Sequence, residues 1–251
     1  NLEKSPIYGS IGRMTLPFGR FASSLITKPL IAALGRIKGD AVSAHFYQPH
    51  YQTHVYFLKG RVVPSSDLNR VNTFGASVSS VYRIGDKRQL EWEWSIVNNL
   101  TNTQAQMKRR IAQGGPDYTI GHRVPAMDLM LSTHMDDWQL EMEYLQAMRA
   151  YDWSDFRASH VKPQALHIEF GAHIPLKQFS NALLNWDIGY EHSWHVAALG
   201  VPQNSYFMTC SGSLWPDSLL QVEYRHNTFY TQQSTFLYPR DSITLKFGVV
   251  F

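Results

Sequence analysis

Apolar residues recur at every second position along most of this chain. The alternation is clearest in residues 89–98, 165–174, 185–194 and 243–251. In the first of these stretches, Leu90, Trp92 and Trp94 alternate with Glu91 and Glu93. A period of two places the apolar side chains on one face of a β-strand and the polar ones on the other. Because the spacing of an amphipathic helix is rare here, the pattern predicts an all-β protein.

About twelve segments carry this alternation, and we predict one strand for each. They are residues 6–17, 40–48, 51–60, 72–85, 89–99, 125–135, 138–149, 163–175, 182–195, 204–215, 218–230 and 241–251. Short linkers, such as 48–50 and 136–137, alternate with long ones, such as 18–39 and 100–124. That arrangement is typical of an antiparallel up-and-down barrel with short turns at one end and long loops at the other. We expect one barrel domain over residues 1–251, either closed by these strands or the carboxy-terminal portion of a larger barrel.

Alternation does not by itself distinguish a membrane barrel from a soluble β-sandwich or lipocalin-like barrel, whose apolar face points inward. Three features favour the membrane. Many strands carry charges on the polar face, and aromatic residues lie near strand ends, as interfacial girdles require. The girdle candidates are Trp92, Trp138 and Trp215 toward the short turns and Trp194, Phe229 and Tyr230 toward the long loops.

The third feature is Phe251, which ends an alternating segment. It resembles the carboxy-terminal signature that bacterial outer-membrane barrels present to their assembly machinery. We therefore expect a transmembrane β-barrel in the bacterial outer membrane. Its apolar face would contact lipid and lipopolysaccharide, and Phe251 would contact the barrel-assembly machinery.

Composition excludes several other classes of protein. The longest aliphatic run, residues 30–34, is far shorter than the roughly 20 residues of a membrane-spanning helix. A net charge of +3 does not suggest a nucleic-acid partner. The one cysteine, Cys210, cannot form an internal disulfide, and there is no Cys/His motif for structural zinc. We predict no cofactor and no metal site.

If the apolar face meets lipid, the polar face lines the interior, and its charges are candidates for the solute pathway. These residues are Arg13, Arg83, Glu91, Glu93, Asp128, Glu141, Glu143, Glu169, Asp187, Glu191, Glu223, Arg225 and Lys246. The acids cluster between residues 91 and 191, whereas Arg13, Arg225 and Lys246 lie on the first and last segments. If the acidic and basic segments lie on opposite sides of the pore, they create a transverse electric field that orients polar solutes. The excess of acids favours cations or metal-loaded ligands. In the alternative, the charges pair and fill the interior.

The most distinctive stretch is Gly12-Arg13 followed by Pro17-Phe18-Gly19 and Phe21, and then by Thr27-Lys28-Pro29-Leu30. Over roughly the first 45 residues the chain resembles the legiobactin-receptor-like siderophore porins of gammaproteobacteria. The resemblance implies a channel or receptor that takes up a ferrisiderophore, and it implies that the amino-terminal part of the barrel precedes this chain. Physically, Pro17 stops strand pairing and Gly19 permits a bend, so the motif also fits a simple strand end. General or solute-selective porins and a plugged structural or adhesive barrel are the alternatives.

Two long loops carry further alternatives. Residues 24–38 are apolar enough to pack as a short helical turn, either as a constriction inside the barrel or as a lid over neighbouring loops. Loop 100–124 contains Lys108, Arg109 and Arg110, which suit an anionic ligand or lipopolysaccharide phosphates, or form an ordinary solvated loop.

Enzymatic readings of an outer-membrane barrel find no support in the sequence. No His is followed by Ser at the spacing of a barrel phospholipase, and Asp136-Asp137 lies at the short-turn end, away from the site of an omptin-type protease. His167 and His173 share a polar face with Glu169, for which packing in the interior is the simpler expectation. We predict no catalytic residues.

Overall fold

A computed structural model describes residues 6–59, 63–64, 73–85, 87–103, 105, 119–156, 158, 160–176, 182–213, 218–231 and 238–249. Twelve strands form one sheet in which neighbours along the chain are antiparallel neighbours in space. They are β1 (Ile7–Thr15), β2 (Lys38–Tyr47), β3 (Tyr51–Leu58), β5 (Thr73–Ile84), β6 (Arg88–Val97), β8 (Ala126–Met135), β9 (Trp138–Ala147), β10 (Gln164–Leu176), β11 (Ala182–Trp194), β12 (Asn204–Gly212), β13 (Ser218–Thr228) and β14 (Asp241–Val249).

The remaining elements lie in the long loops. Strands β4 (Val63–Pro64) and β7 (Thr119–Ile120) form a small parallel pair. Helix α1 spans Leu30–Gly35, helix α2 spans Trp153–Phe156, and a 3₁₀ turn spans Ala197–Leu199. Among the described residues, no helix has the length and apolar character needed to cross a membrane.

The predicted all-β, up-and-down architecture is confirmed. Each predicted segment corresponds to one strand of the sheet, and its ends differ from the prediction by only a few residues. Because a shift of one residue would move every side chain to the other face, the alternation also fixes which residues share a face.

The two faces of the sheet are inverted relative to a soluble protein. Trp94 is 42% exposed and Phe170 39% exposed on the outer face, whereas Asp128 and Glu191 on the inner face are 0% exposed. A soluble sandwich or lipocalin-like barrel would bury the apolar row and expose the acids. The apolar row therefore faces outward, as a bilayer requires.

The two outermost strands differ from the rest. Within the described ranges, β1 pairs with β2 but not with β14, and β14 pairs with β13 but not with β1. Among the described residues, β1 and β14 are therefore the two edge strands of the sheet.

The segment between β1 and β2, residues 16–37, folds against the inner face, and we call it the strap. Helix α1, which lies in the strap, contacts β9, β10 and β11. Apolar strap residues are fully buried, including Phe18, Ile31 and Leu34. They join one core with residues of the long loops, such as Val196 and Leu199. The strap therefore packs on the inner face of the sheet, together with residues of the long loops.

Candidate functional site

The Pro17-Phe18-Gly19 motif turns the chain from β1 into the strap. Pro17 follows the last pair of β1, and the N–H of Leu16 donates to the carbonyl of Ile37 at 3.0 Å, which closes the base of the strap. Gly19 has φ of +67°, and a Cβ there would overlap the Phe21 ring, so a glycine is needed at this position. Phe18 is 0% exposed and helps to hold the strap in the interior.

Carboxylates of the inner face hold the strap through its backbone. Glu143 of β9 accepts hydrogen bonds from the N–H groups of Arg20 at 2.8 Å and of Phe21 at 3.0 Å. On β10, Glu169 accepts from the N–H of Ser24 at 2.9 Å and from the hydroxyl of Ser23 at 2.7 Å. A buried hydrogen bond typically contributes about 0.5–1.5 kcal/mol, and more when its acceptor is ionised, so these two strands together anchor the first half of the strap.

The second half is anchored in the same way. Glu191 of β11 accepts from the N–H of Leu30 at 2.6 Å, and Glu223 of β13 accepts from the N–H of Thr27 at 2.8 Å and from its hydroxyl. A basic group also holds the strap: the guanidinium of Arg225 donates to the carbonyl of Lys28 at 3.3 Å. The strap thus crosses the inner face from β9 to β13.

A buried network of charges joins these anchors to one another. The ring of His167 lies between Glu169 and Glu191, with nitrogen–oxygen distances of 3.3 and 3.2 Å. Arg225 lies 3.6 Å from both Glu191 and Glu223. The expected separation of Arg225 from the acids is therefore wrong, because Glu223 is on the same strand and Glu191 is on β11, the strand on the far side of β12. No group of three or more His, Cys, Asp and Glu residues in the described part of the chain is arranged to hold a metal ion.

Phe207 is an aromatic side chain on the polar inner face. Its ring stacks on His167 with centroids 5.6 Å apart, and the guanidinium of Arg225 lies 5.9 Å from its centroid. It faces Gly189 across the β11–β12 ladder, where a Cβ would overlap the Phe207 ring. The absence of a side chain at Gly189 makes room for this stack.

We therefore expect Gly189→Val to displace Phe207 and lower the free energy of unfolding by about 1–3 kcal/mol, the usual cost of overpacking. Gly248→Val in β14 is the matched control, because a Cβ there meets nothing within 4 Å. Equal stability of the two variants in urea titrations of the lipid-reconstituted protein would contradict this role for Gly189.

Other acids of the inner face are not used to hold the strap backbone. Both carboxylate oxygens of Asp128 and Oε1 of Glu141 are buried without a hydrogen-bond partner among the described residues. Glu93 lies on the same face of β6, next to Glu91. Glu91 pairs with the side chain of Arg20, and this hydrogen bond raises the pKa of Arg20 above its ordinary value. The result is a group of carboxylates on β6, β8 and β9 beside the strap.

Asp187 and the remaining bases have different surroundings. The carboxylate of Asp187 accepts from Thr209 at 2.9 Å and from Gln139 at 3.2 Å. Arg83 and Lys246 are on the inner-face register of β5 and β14 but are exposed. Arg13 is exposed on the outer face opposite Asp40, in line with Ile11, so its predicted inward position is wrong.

Some aromatic and basic predictions also change. Trp92 and Trp138 are exposed on the outer face, as expected. Tyr230 instead turns inward, where its hydroxyl donates to the carbonyl of Ser193 at 2.5 Å, so it is not part of an outer girdle. Three groups of predicted residues lie outside the described residues: the bases Lys108, Arg109 and Arg110, the girdle residue Trp215, and the terminal Phe251.

Sequence reasoning missed the anchoring role of the acids, the stacked Phe207 and the bridging His167. Every residue except proline has a backbone N–H, so the sequence does not indicate which N–H groups bond to Glu143 and Glu191. The position of Phe207 was predictable as unusual, since it is an aromatic residue at a polar-face position of its strand.

No protein-family model matches the chain. It is 29% identical over 239 residues to a UPF0422 protein of Coxiella burnetii, covering 93% of this chain and 50% of that protein. A UPF0422 protein of Legionella pneumophila (strain Philadelphia 1) is 24% identical over 259 residues, covering 98% of this chain and 48% of that protein. The chain therefore spans about half the length of these relatives.

Among solved structures, the chain is similar to the outer membrane channel DcaP of Acinetobacter baumannii. The TM-score is 0.52 at 14% sequence identity, over 86% of this chain and 64% of that one. The two chains therefore share an all-β barrel-type fold. At this identity the likeness concerns the architecture and carries no information about the solute.

Proposed function

We propose that this chain forms part of the wall of a water-filled channel for small polar solutes in the bacterial outer membrane, without covalent chemistry. The observation that carries the proposal is the inverted sheet, with apolar residues outside, carboxylates inside and a strap held across the interior. A segment that folds inward narrows the pore of a barrel. A barrel whose interior is filled by side chains leaves no pore to narrow. The fold shared with an outer membrane channel supports the same conclusion.

We also propose that the twelve strands belong to a larger barrel. A strand edge that faces lipid without a partner strand leaves backbone N–H and C=O groups unsatisfied, at several kcal/mol each. Additional strands that pair with both edges remove that cost. Relatives about twice as long as this chain have the length to supply them.

Cations are the solutes that the interior favours. The carboxylates of Glu93, Asp128 and Glu141 are not neutralised by the strap backbone, and like charges on one wall attract counter-ions. Single-channel recording in planar lipid bilayers tests this directly. We expect discrete conductance steps, with a reversal potential in a KCl gradient that reports preference for K⁺. A protein that inserts but does not conduct would favour the plugged structural barrel.

The charge-neutralising variant Glu93→Gln/Glu141→Gln should lower the K⁺/Cl⁻ permeability ratio by roughly twofold or more, because it removes two carboxylates from the inner face. Asp40→Asn removes an exposed carboxylate from the outer face and should leave the ratio unchanged. If the double variant keeps the wild-type ratio, these acids do not set the selectivity.

Uptake of a siderophore or related iron chelate is a narrower proposal. Its support is the resemblance of the first 45 or so residues, and the relatives and the channel fold add nothing to it. A deletion strain should fail to grow with the ferrisiderophore as its iron source, and plasmid-borne protein should restore growth. Normal growth of the deletion strain would remove this solute and leave the general porin.

A further inference from the structure

Two histidines face each other on the inner side of the sheet, away from the strap anchors. His45 of β2 and His54 of β3 are direct partners in the antiparallel ladder. Their Nδ1 atoms are 2.5 Å apart, closer than the usual separation of hydrogen-bonded nitrogens. The ring planes are at 76°, with centroids 4.7 Å apart, so the two nitrogens approach each other edge to edge.

Ser43 lies behind the His45 ring. Its hydroxyl is 2.7 Å from Nε2 of His45 and 3.6 Å from Sδ of Met14. In the tautomer in which Nε2–H donates to Ser43, the lone pair of His45 is on Nδ1 and points at His54. A hydrogen-bonded partner behind the ring is the arrangement that orients metal-bound histidines.

The surroundings fix the His45 ring on one side and place a polar side chain next to His54 on the other. Tyr8 of β1 stacks on His45, with centroids 4.4 Å apart and planes within 4°. On the other side, Ser77 of β5 is the ladder partner of His54, and its buried hydroxyl has no hydrogen-bond partner among the described residues. No third His, Cys, Asp or Glu of the described chain joins the pair, so water would complete the coordination.

We propose that His45 and His54 bind a divalent transition-metal ion through their Nδ1 atoms, with Ser43 supporting His45 from behind. Imidazole nitrogen suits Zn²⁺, Cu²⁺ and Ni²⁺, whereas Mg²⁺ and Ca²⁺ prefer oxygen. Zinc–nitrogen bonds are about 2.0–2.1 Å, so a tetrahedral ion would hold the two nitrogens about 3.3 Å apart, and both rings would rotate away from their separation of 2.5 Å to admit it. A site with only two protein ligands is open, so the ion exchanges readily. The proposal of this site does not depend on the proposed channel function.

Calorimetric titration of the whole chain with Zn²⁺, in detergent and without a histidine tag, tests the site. We expect one ion per chain, and His45→Gln or His54→Gln should each weaken binding by more than about tenfold, since even supporting partners contribute about 10- to 100-fold. Ser43→Ala should weaken it less. His173→Gln is the matched control, because His173 also faces inward but its Nδ1 is bonded to Asn185 at 2.7 Å.

The electron paramagnetic resonance spectrum of bound Cu²⁺ gives a second readout, with splitting from two nitrogens in the wild type and fewer in either histidine variant. Circular dichroism of each variant verifies the fold. Wild-type affinity in both His45→Gln and His54→Gln, or an equal loss in His173→Gln, would overturn the proposal. If either variant fails to fold, a wild-type Cu²⁺ spectrum without nitrogen splitting, or no Zn²⁺ binding by the wild type, would overturn it instead.

Discussion

Removal of the strap should raise the single-channel conductance severalfold. Residues 18–35 can be excised with Pro17 and Arg36 joined by a short glycine linker, because the Leu16–Ile37 hydrogen bond already holds the base together. The excised segment contains the buried residues Phe18, Ile31 and Leu34, which occupy the interior. Its loss would leave water in their place, and a wider aqueous path conducts more ions.

The anchors provide a graded version of the same experiment. Glu143→Ala removes a carboxylate that holds two strap N–H groups and should produce noisier, higher conductance. Glu141→Gln is the control for the noise of the open channel, because it changes a neighbouring inner-face carboxylate of β9 whose Oε1 accepts no hydrogen bond from the described residues. Since the freed Arg20 and Phe21 amides can bond to water, folding should survive the change. An unaltered conductance after excision of the strap would show that the strap does not limit the path.

A charge on the outer face should destabilise the protein far more than the same charge on the inner face. Phe170, near the middle of β10, is 39% exposed on the face assigned to lipid. An arginine on the lipid face at the bilayer midplane costs about 2–4 kcal/mol, so Phe170→Arg should lower the free energy of unfolding by that amount.

His173→Arg is the matched variant, since it lies on the same strand but on the inner face beside Asn185. There the guanidinium would meet water and polar side chains, so the expected cost is below 1 kcal/mol or so. Urea unfolding from lipid vesicles measures both. A cost at His173 equal to or greater than that at Phe170 would mean that the faces are assigned the wrong way round.

The strands, and the face on which each residue lies, can be predicted from the sequence because both depend on a local period of two residues. Each strand alternates over many residues, so even a boundary error of several residues leaves the face of Trp94 or Phe170 unchanged. Charges such as Glu191 then indicate which face points away from lipid, because an ionised group in lipid is costly.

Arg13 shows where the same reasoning failed. Its charge predicts a position on the inner face, whereas strict alternation from Ile11 predicts the outer face. The structure follows the alternation, and Arg13 lies opposite Asp40 near the long-loop end of β1. A charge at the end of a strand can reach the interface, so its sign alone does not fix its face.

The strap contacts could not be derived because they join residues far apart in sequence through the backbone. Glu191 and Leu30 are 161 positions apart, and the contact uses a main-chain N–H that every residue but proline possesses. The pairing of Gly189 with Phe207 likewise depends on cross-strand register, which the loop length between β11 and β12 does not set.

Cysteine scanning of β10 in lipid vesicles is the most direct test of which face meets the bilayer. In a Cys210→Ser background, spin labels at successive positions from residue 164 to residue 174 report collision with oxygen, which concentrates in lipid. We predict high oxygen accessibility at positions 166, 168, 170 and 172 and low accessibility at the positions between them. The opposite phase, or no alternation along the strand, would contradict the account.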